Sequence, residues 1–251
     1  MKLSIITIAF NAADTIEDTV KSVLSQRCEG FELEYLVIDG ASTDATLAIL
    51  APYRESITLI SEPDTGIYDA MNKGIASASG DLIGILNADD LYASDNVLQR
   101  VVDLFIHSGS ESVYGDLVYV HRDDPSKVTR TWTSGAFHRK AFLHGWMPPH
   151  PTFFVRKSVY LAHGVFSLQL RSAADYELML RFLYKAQIST EYLEGTLVRM
   201  RVGGMSNASL SNRWRANRED REAWRINGLT PMPWTLLLKP LRKVSQFWKH
   251  G

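Results

Sequence analysis

One cysteine, Cys28, stands among 251 residues. A lone thiol excludes a disulfide framework and a cysteine-ligated zinc centre, and it suits a reducing compartment. Long apolar runs are missing as well. No stretch approaches the ~20 residues that span a bilayer, and the amino terminus enters a strand-like segment without the shape of a signal peptide. The expectation is a cytoplasmic chain, soluble or peripheral at the inner face of the cell membrane. Glycine is absent from Ala9-Phe10-Asn11-Ala12-Ala13, where dinucleotide-binding folds need Gly-x-Gly-x-x-Gly to bring backbone against a pyrophosphate. That absence argues against a dehydrogenase. A nucleotidyltransferase, which would carry a basic glycine-rich phosphate loop after the first strand, is disfavoured on the same ground.

The small net charge of −1 conceals a division. Residues 1–100 hold six lysines and arginines against sixteen acids, and residues 101–251 hold twenty-one against twelve. The acidic half suits a cation with its phosphate ligand, the basic part an anionic acceptor or surface. A nucleic-acid partner is not expected, because the acidic half repels it and no nucleic-acid motif is present. With 45% hydrophobic residues the chain can bury a full core, as one domain with an elaborated C-terminal part.

The first hundred residues alternate between periods of two and of 3.6. Leu3 to Ala9, Tyr35 to Ile38, Ile57 to Ile60 and Leu82 to Leu86 read as strands; Asp14 to Ser25, Thr43 to Leu50 and Ile67 to Ala78 read as helices, with Ser42 or Thr43 as an N-cap. This order predicts an α/β fold, a mostly parallel sheet flanked by helices on both faces. Ligands of such sheets bind beyond the carboxyl ends of the strands.

Polar residues collect at those ends. The fourth strand runs into Asn87-Ala88-Asp89-Asp90, and adjacent carboxylates repel unless something positive lies between them. Such oxygen donors suit Mn²⁺ or Mg²⁺ carrying a phosphate; capping of the next helix is the alternative. Asp39 emerges on the same edge, where it could accept from a base N–H or a ribose hydroxyl while Gly40 permits close approach. Phe10 could lie against a base with Asn11 fixing its edge, or be core beside an ordinary turn residue. Asp44 reads as a helix-dipole partner. In the third connection, Glu62 to Gly74, Asp64 and Lys73 read as contributions to the edge site, whereas an Asp69–Lys73 i,i+4 pair is the plain alternative.

Four segments, Ile5 to Asn11, Val37 to Asp44, Glu62 to Gly74 and Leu86 to Asp90, together resemble glycosyltransferase family 2, the inverting GT-A transferases that use nucleotide-sugar donors. The resemblance implies a Rossmann-like GT-A domain over residues 1–210, divided into a nucleotide-binding half (1–100) and an acceptor half (101–210), followed by a helical basic extension (211–251). It implies that the Ile8-Ala9-Phe10-Asn11 segment and Asp39 hold the nucleotide, joined by Asp64, Lys73 and Asp89. Asp89 and Asp90 match the family's aspartate-x-aspartate region. Asn87 stands where many members have the first aspartate, so the metal rests mainly on Asp90 with Asp89 beside it.

Ser172 to Phe182 resembles the segment that carries the family's catalytic aspartate. Asp175 shares a helix face with Leu178, Met179 and Phe182, while Glu177 and Arg181 read as an outward surface pair. Asp175 is therefore the candidate general base, with a helix N-cap as the alternative; Ala174 replaces the usual preceding acid. His150 resembles a family histidine near the acceptor or diphosphate, with a structural loop histidine as the alternative. Val202-Gly203-Gly204-Met205-Ser206 resembles a mobile loop that closes on the donor, flanked by Arg199 and Arg201 to meet phosphate.

The function so implied is transfer of a sugar from a UDP- or GDP-sugar to a saccharide hydroxyl with inversion, in bacterial surface-polysaccharide assembly. Residues 229–251 hold no acid and carry Trp234, Lys239, Arg242, Lys243, Trp248 and Lys249. After Pro240, the residues Leu241, Val244 and Trp248 make an apolar face beside basic ones, suited to an anionic membrane surface and a lipid-linked acceptor. Docking of this helix on the domain is the alternative. A non-catalytic nucleotide-sugar-binding protein is the competing class, favoured if Asp175 lies remote from the acid pair.

Overall fold

The computed structural model describes residues 1–203 and 210–242, with side chains at 1–203 and 218–239. Strands β1 (Lys2–Ala9), β2 (Glu32–Asp39), β3 (Thr58–Ser61) and β4 (Leu82–Asn87) lie parallel in the order β3-β2-β1-β4. Helices α1 (Ile16–Leu24), α2 (Thr46–Leu50) and α3 (Ile67–Ser77) make the crossovers, so the expected alternation is present element for element. These strands are apolar on both sides because both faces are covered. Ile6, Ile8, Leu36, Ile38, Ile83 and Ile85 meet Tyr68, Met71 and Ile75 of α3 in one core. Their alternates Ile5, Tyr35, Val37, Leu82 and Leu86 meet Ile16, Val20 and Val23 of α1 in a second. Gly74 lies where any Cβ would run into Ile6 and Ile38, which lets α3 sit close on the sheet.

Past β4 the sheet becomes mixed. Strands β5 (Asp90–Tyr92), β6 (Ser112–Val120), β7 (Val128–Trp132), β8 (Phe154–Arg156) and β9 (Thr190–Arg201) continue it as β4-β8-β6-β9-β5, with β7 on β6. Only β6 and β9 pair parallel among these. Helix α4 (Val97–Ser108) joins the second core. Helices α5 (Lys157–His163) and α6 (Ala174–Met179), the latter prolonged by a π-helical turn over Leu180–Ala186, build the first.

Helices α7 (Leu210–Ile226) and α8 (Thr235–Arg242) close over that core. Trp224 is buried and donates to the Tyr176 hydroxyl at 2.9 Å. The start of the acid-free tail is docked: Leu236 is buried, Thr235 Oγ1 donates to the Leu143 carbonyl at 2.6 Å, and Lys239 Nζ lies 2.6 Å from Asp220. Met232, Trp234 and Leu237 stay exposed. Gly204 and the tail residues Lys243, Val244, Trp248 and Lys249 lie outside the described residues. Among the described residues no helix is long and apolar enough to cross a membrane.

Element starts differ from expectation for local reasons. Helix α2 begins at Thr46 because Asp44 Oδ1 accepts from the Thr46 N–H at 3.0 Å, so neither Ser42 nor Thr43 caps it. Strand β2 begins at Glu32, ahead of Tyr35, because the Glu34 carboxylate is taken up by Ser4 and Ser79. The acid pair caps no helix: Asp90 opens β5, and α4 starts only at Val97.

Candidate active site

Three groups of side chains line the carboxyl edge. The first lies where β1 and β2 end. Asn11 (φ 48°) and Ala41 (φ 61°) are both left-handed, a conformation non-glycine residues hold only where surroundings enforce it. The two turns enforce it on each other: Asn11 N–H donates to Ser42 Oγ (2.8 Å) and Thr43 N–H to Asn11 Oδ1 (2.9 Å). Asp39 is wholly buried and accepts from Ser42 N–H (3.0 Å), Ser42 Oγ (2.5 Å) and Ser61 Oγ (2.7 Å), so its carboxylate shapes this loop. A Cβ at Gly40 would strike the Asp64 carboxylate and come within 3.3 Å of the Phe10 ring, which places Phe10, Gly40 and Asp64 together. Phe10 is 64% exposed, an aromatic face open at a strand end.

Lys73 does not pair with Asp69. It binds Glu62 at 2.9 Å and the Pro63 carbonyl at 2.7 Å, while Asp69 accepts from the Thr65 N–H at the start of α3. The Lys73 side chain reaches back to the loop ahead of α3, which the i,i+4 reading could not register.

The second group is the acid pair. Asp90 is wholly buried; its Oδ2 accepts from Asn87 Nδ2 at 3.0 Å, whereas its Oδ1 and the Asn87 Oδ1 are buried without a partner. Burial pushes the Asp90 carboxyl well above the usual carboxylate range, and the charge of Asp89 adds to it. Burial likewise raises Asp89, against the pull of Arg122 and Arg201. The orphaned oxygens of the Asp90 carboxyl and the Asn87 amide, with the half-buried Asp89 carboxyl beside them, are the hard donors that Mg²⁺ or Mn²⁺ takes, with phosphate and water completing six positions. The residues therefore fit such an ion. Among the described residues no cluster of three or more His, Cys, Asp or Glu forms a cage, so the ligand's phosphate has to supply the rest.

Arg201 has a different place from the expected one. It is 3% exposed, and its three nitrogens donate to Asp18 Oδ2 (2.5 Å), the Asp89 carbonyl (3.2 Å) and the Arg122 carbonyl (3.1 Å). Arg199 reaches the Pro125 carbonyl at 3.5 Å. Arg201 is thus tied to the Asp18 carboxylate and to backbone, and Arg199 to backbone.

The third group surrounds Asp175. No side chain caps α6, so the N-cap alternative falls away. The Tyr68 hydroxyl donates to Asp175 Oδ1 at 3.3 Å, and its ring stacks on Phe166 with centroids 5.6 Å apart. His150 meets Phe166 edge-on at 5.5 Å. Asn72 holds the Phe166 backbone through both its N–H and its carbonyl at 2.9 Å. Burial pushes the His150 imidazolium down despite the pull of Asp175, leaving a neutral ring beside the carboxylate. The turn His150–Thr152 packs on β4, and the segment from Asp64 to Tyr68 joins the Phe10 group to the Asp175 group. Tyr68, Asn72, Phe166 and Arg122 were not singled out in the sequence; a partner 107 positions away leaves no periodic signal.

Glu177 is not on the surface. It is 1% exposed, binds Arg181 through both oxygens at 2.9 Å, and accepts from Asn227 Nδ2 at 3.0 Å. The residue after α7 covers the face that helical periodicity marked as outward.

Similar folds occur among solved structures. The Staphylococcus aureus TarS fragment 1–349 in complex with UDP-GlcNAc superposes with a TM-score of 0.72 at 18% identity, over 90% of this chain and 65% of that one. The mannosyltransferase PcManGT of Pyrobaculum calidifontis, in complex with GDP-Man and Mn²⁺, gives 0.65 at 17% identity, over 99% and 76%. These likenesses show a GT-A fold. The profile of Glycosyl transferase family 2 matches residues 4–176, and the chain belongs to that family. An uncharacterized glycosyltransferase of Mycobacterium tuberculosis is 37% identical over 181 residues, 71% of this chain and 68% of the relative. A glycosyltransferase of PGL/p-HBAD biosynthesis from Mycobacterium bovis is 31% identical over 210 residues, 81% and 78% of the two chains.

Proposed function

We propose that this chain transfers a sugar from a UDP- or GDP-sugar to a saccharide hydroxyl with inversion at the anomeric carbon. The observation that carries the reading is Asp175, held by Tyr68 beside a neutral His150, on an edge that also carries the acid pair and Phe10. Asp175 takes the acceptor's proton as its oxygen attacks, and displacement with one base inverts the centre. Phe10 and the loop shaped by Asp39 receive the nucleoside. Asp89 and Asp90 hold Mn²⁺ or Mg²⁺, which when bound supplies positive charge against the departing diphosphate. The nucleotides carried by TarS and PcManGT support this donor class, and the PGL/p-HBAD relative supports a role in glycolipid or polysaccharide assembly. A lipid-linked acceptor then agrees with peripheral attachment at the inner face of the cell membrane, which the acid-free tail supports.

A thermal-shift series with UDP-GlcNAc, UDP, GDP-mannose and GDP, each with and without Mn²⁺, tests the reading. A true donor at 100 times its Kd adds about 2.7 kcal/mol of apparent stability. Asp90→Ala is expected to abolish the Mn²⁺-dependent part while keeping the fold. Unchanged nucleotide affinity of that variant in calorimetry overturns the metal assignment.

A further inference from the structure

Three arginines lie around the acid pair, and the structure divides them by role. Arg201 and Arg199, both on β9, reach under the turn that joins β6 to β7 and hold its backbone at the carbonyls of Arg122 and Pro125. The guanidinium of Arg201 binds the Asp89 carbonyl at the same time. One planar group therefore sets the Arg122 backbone beside the Asp89 backbone. Strand pairing reinforces this, with Val120 opposite Arg201 and Asp90 opposite Met200.

Within that turn the other cation is occupied, since Lys127 pairs with Asp124 at 3.0 Å. The side chain of Arg122 is exposed, and its charge acts on Asp89. An exposed guanidinium fixed at its backbone, next to the Asp89 carboxyl and the orphaned oxygens of Asp90 and Asn87, is placed for an anion that brings its own cation. Its planar fork matches two phosphate oxygens at once, and among the described residues no ion pair of Arg122 has to break first.

We propose that Arg122 binds the β-phosphate of the nucleoside diphosphate and offsets the charge on the leaving group, with Arg199 and Arg201 as positioning residues beneath it. The inference rests on the nucleotide-sugar reading. As the bond from the anomeric carbon to the β-phosphate oxygen breaks, the electron pair stays on that oxygen, beside Arg122. The acceptor oxygen bonds to the carbon, and its proton passes to Asp175.

Calorimetry of the full chain with Mn²⁺ compares UDP and GDP with UMP and GMP. Arg122→Ala is expected to weaken the bound diphosphate about tenfold or more, roughly 1.4 kcal/mol, and to leave the monophosphate within about twofold. Arg122→Lys recovers part of the loss, because the charge stays and the fork does not. The thermal midpoint is expected to hold, since Arg201 grips only the carbonyl of residue 122. Wild-type binding that Arg122→Ala leaves unchanged overturns this assignment alone. Equal losses of di- and monophosphate overturn it too, by removing the dependence on the β-phosphate. Wild-type protein that binds neither diphosphate overturns the nucleotide-sugar reading and this inference with it.

Discussion

Asp175 and Glu177 stand two positions apart on one short helix and do unlike things. Asp175 is partly exposed with one tyrosine hydroxyl for company, whereas Glu177 is enclosed by Arg181 and Asn227. Replacing each separates the roles. Asp175→Asn keeps the volume and loses the basic oxygen, so turnover is expected to fall roughly 10²-fold or more while donor affinity barely moves. Glu177→Ala leaves the partly exposed Arg181 guanidinium with only the carbonyls of His163, Gly164 and Val165, which costs about 1–3 kcal/mol and shows as a lower denaturation midpoint. Near-wild-type turnover for Asp175→Asn would remove it as the base. At this scale the places of Asp39, Asp90 and Asp175 in the fold were legible, because Asp39 ends β2, Asp90 opens β5 and Asp175 stands in the first turn of α6. Glu177 was misread because a lone helical pattern carries no trace of α7 lying across it. Tyr68 was passed over because its ring reads as ordinary core.

Among elements, the two ends of the parallel strands divide their labour. The carboxyl ends carry orphaned oxygens and left-handed turns; the amino ends are tied down. Glu34 near the start of β2 accepts from Ser4 of β1 and from Ser79 ahead of β4, with Lys2 at 3.3 Å. Burial works to raise its carboxyl, yet these partners outweigh it and hold the group at about 2, against an ordinary 4.5. A carboxyl lowered on folding stabilises the fold fully above its unfolded value and loses that contribution as pH falls from 4.5 toward 2. Chemical denaturation at pH 6 and pH 3 is therefore expected to show Glu34→Gln losing about 1–2 kcal/mol less than wild type between them, with allowance for partial exposure. Parallel pH dependences would refute the clamp. The elements of the first hundred residues were legible because each strand and helix carries its own period. The second half was not, since β9 pairs with β6 across 78 positions or so of intervening chain and β5 is three residues long; neither leaves a local pattern.

For the whole molecule, the division of charge reappears in space. The acidic N-terminal half builds the edge that carries the acid pair, and the basic remainder ends in a tail whose first part is bound to the domain through Thr235, Leu236 and Lys239. Removing residues 229–251 would strip those contacts along with the basic end, so loss of membrane binding in that truncation would be confounded with loss of packing. Removing 243–251 alone takes away Lys243, Trp248 and Lys249 and leaves the docked stretch in place. We expect this shorter truncation to keep its thermal midpoint and to sediment less with anionic vesicles than the full chain does. Added salt should weaken the full chain in the same way, because attraction to an anionic surface decays over a Debye length of about 8 Å at physiological ionic strength. Neutral vesicles should recover little of either protein. Should both partition equally onto anionic vesicles, the end of the tail plays no part in attachment, and the exposed Trp234 and Leu237 of the docked segment become the residues to replace.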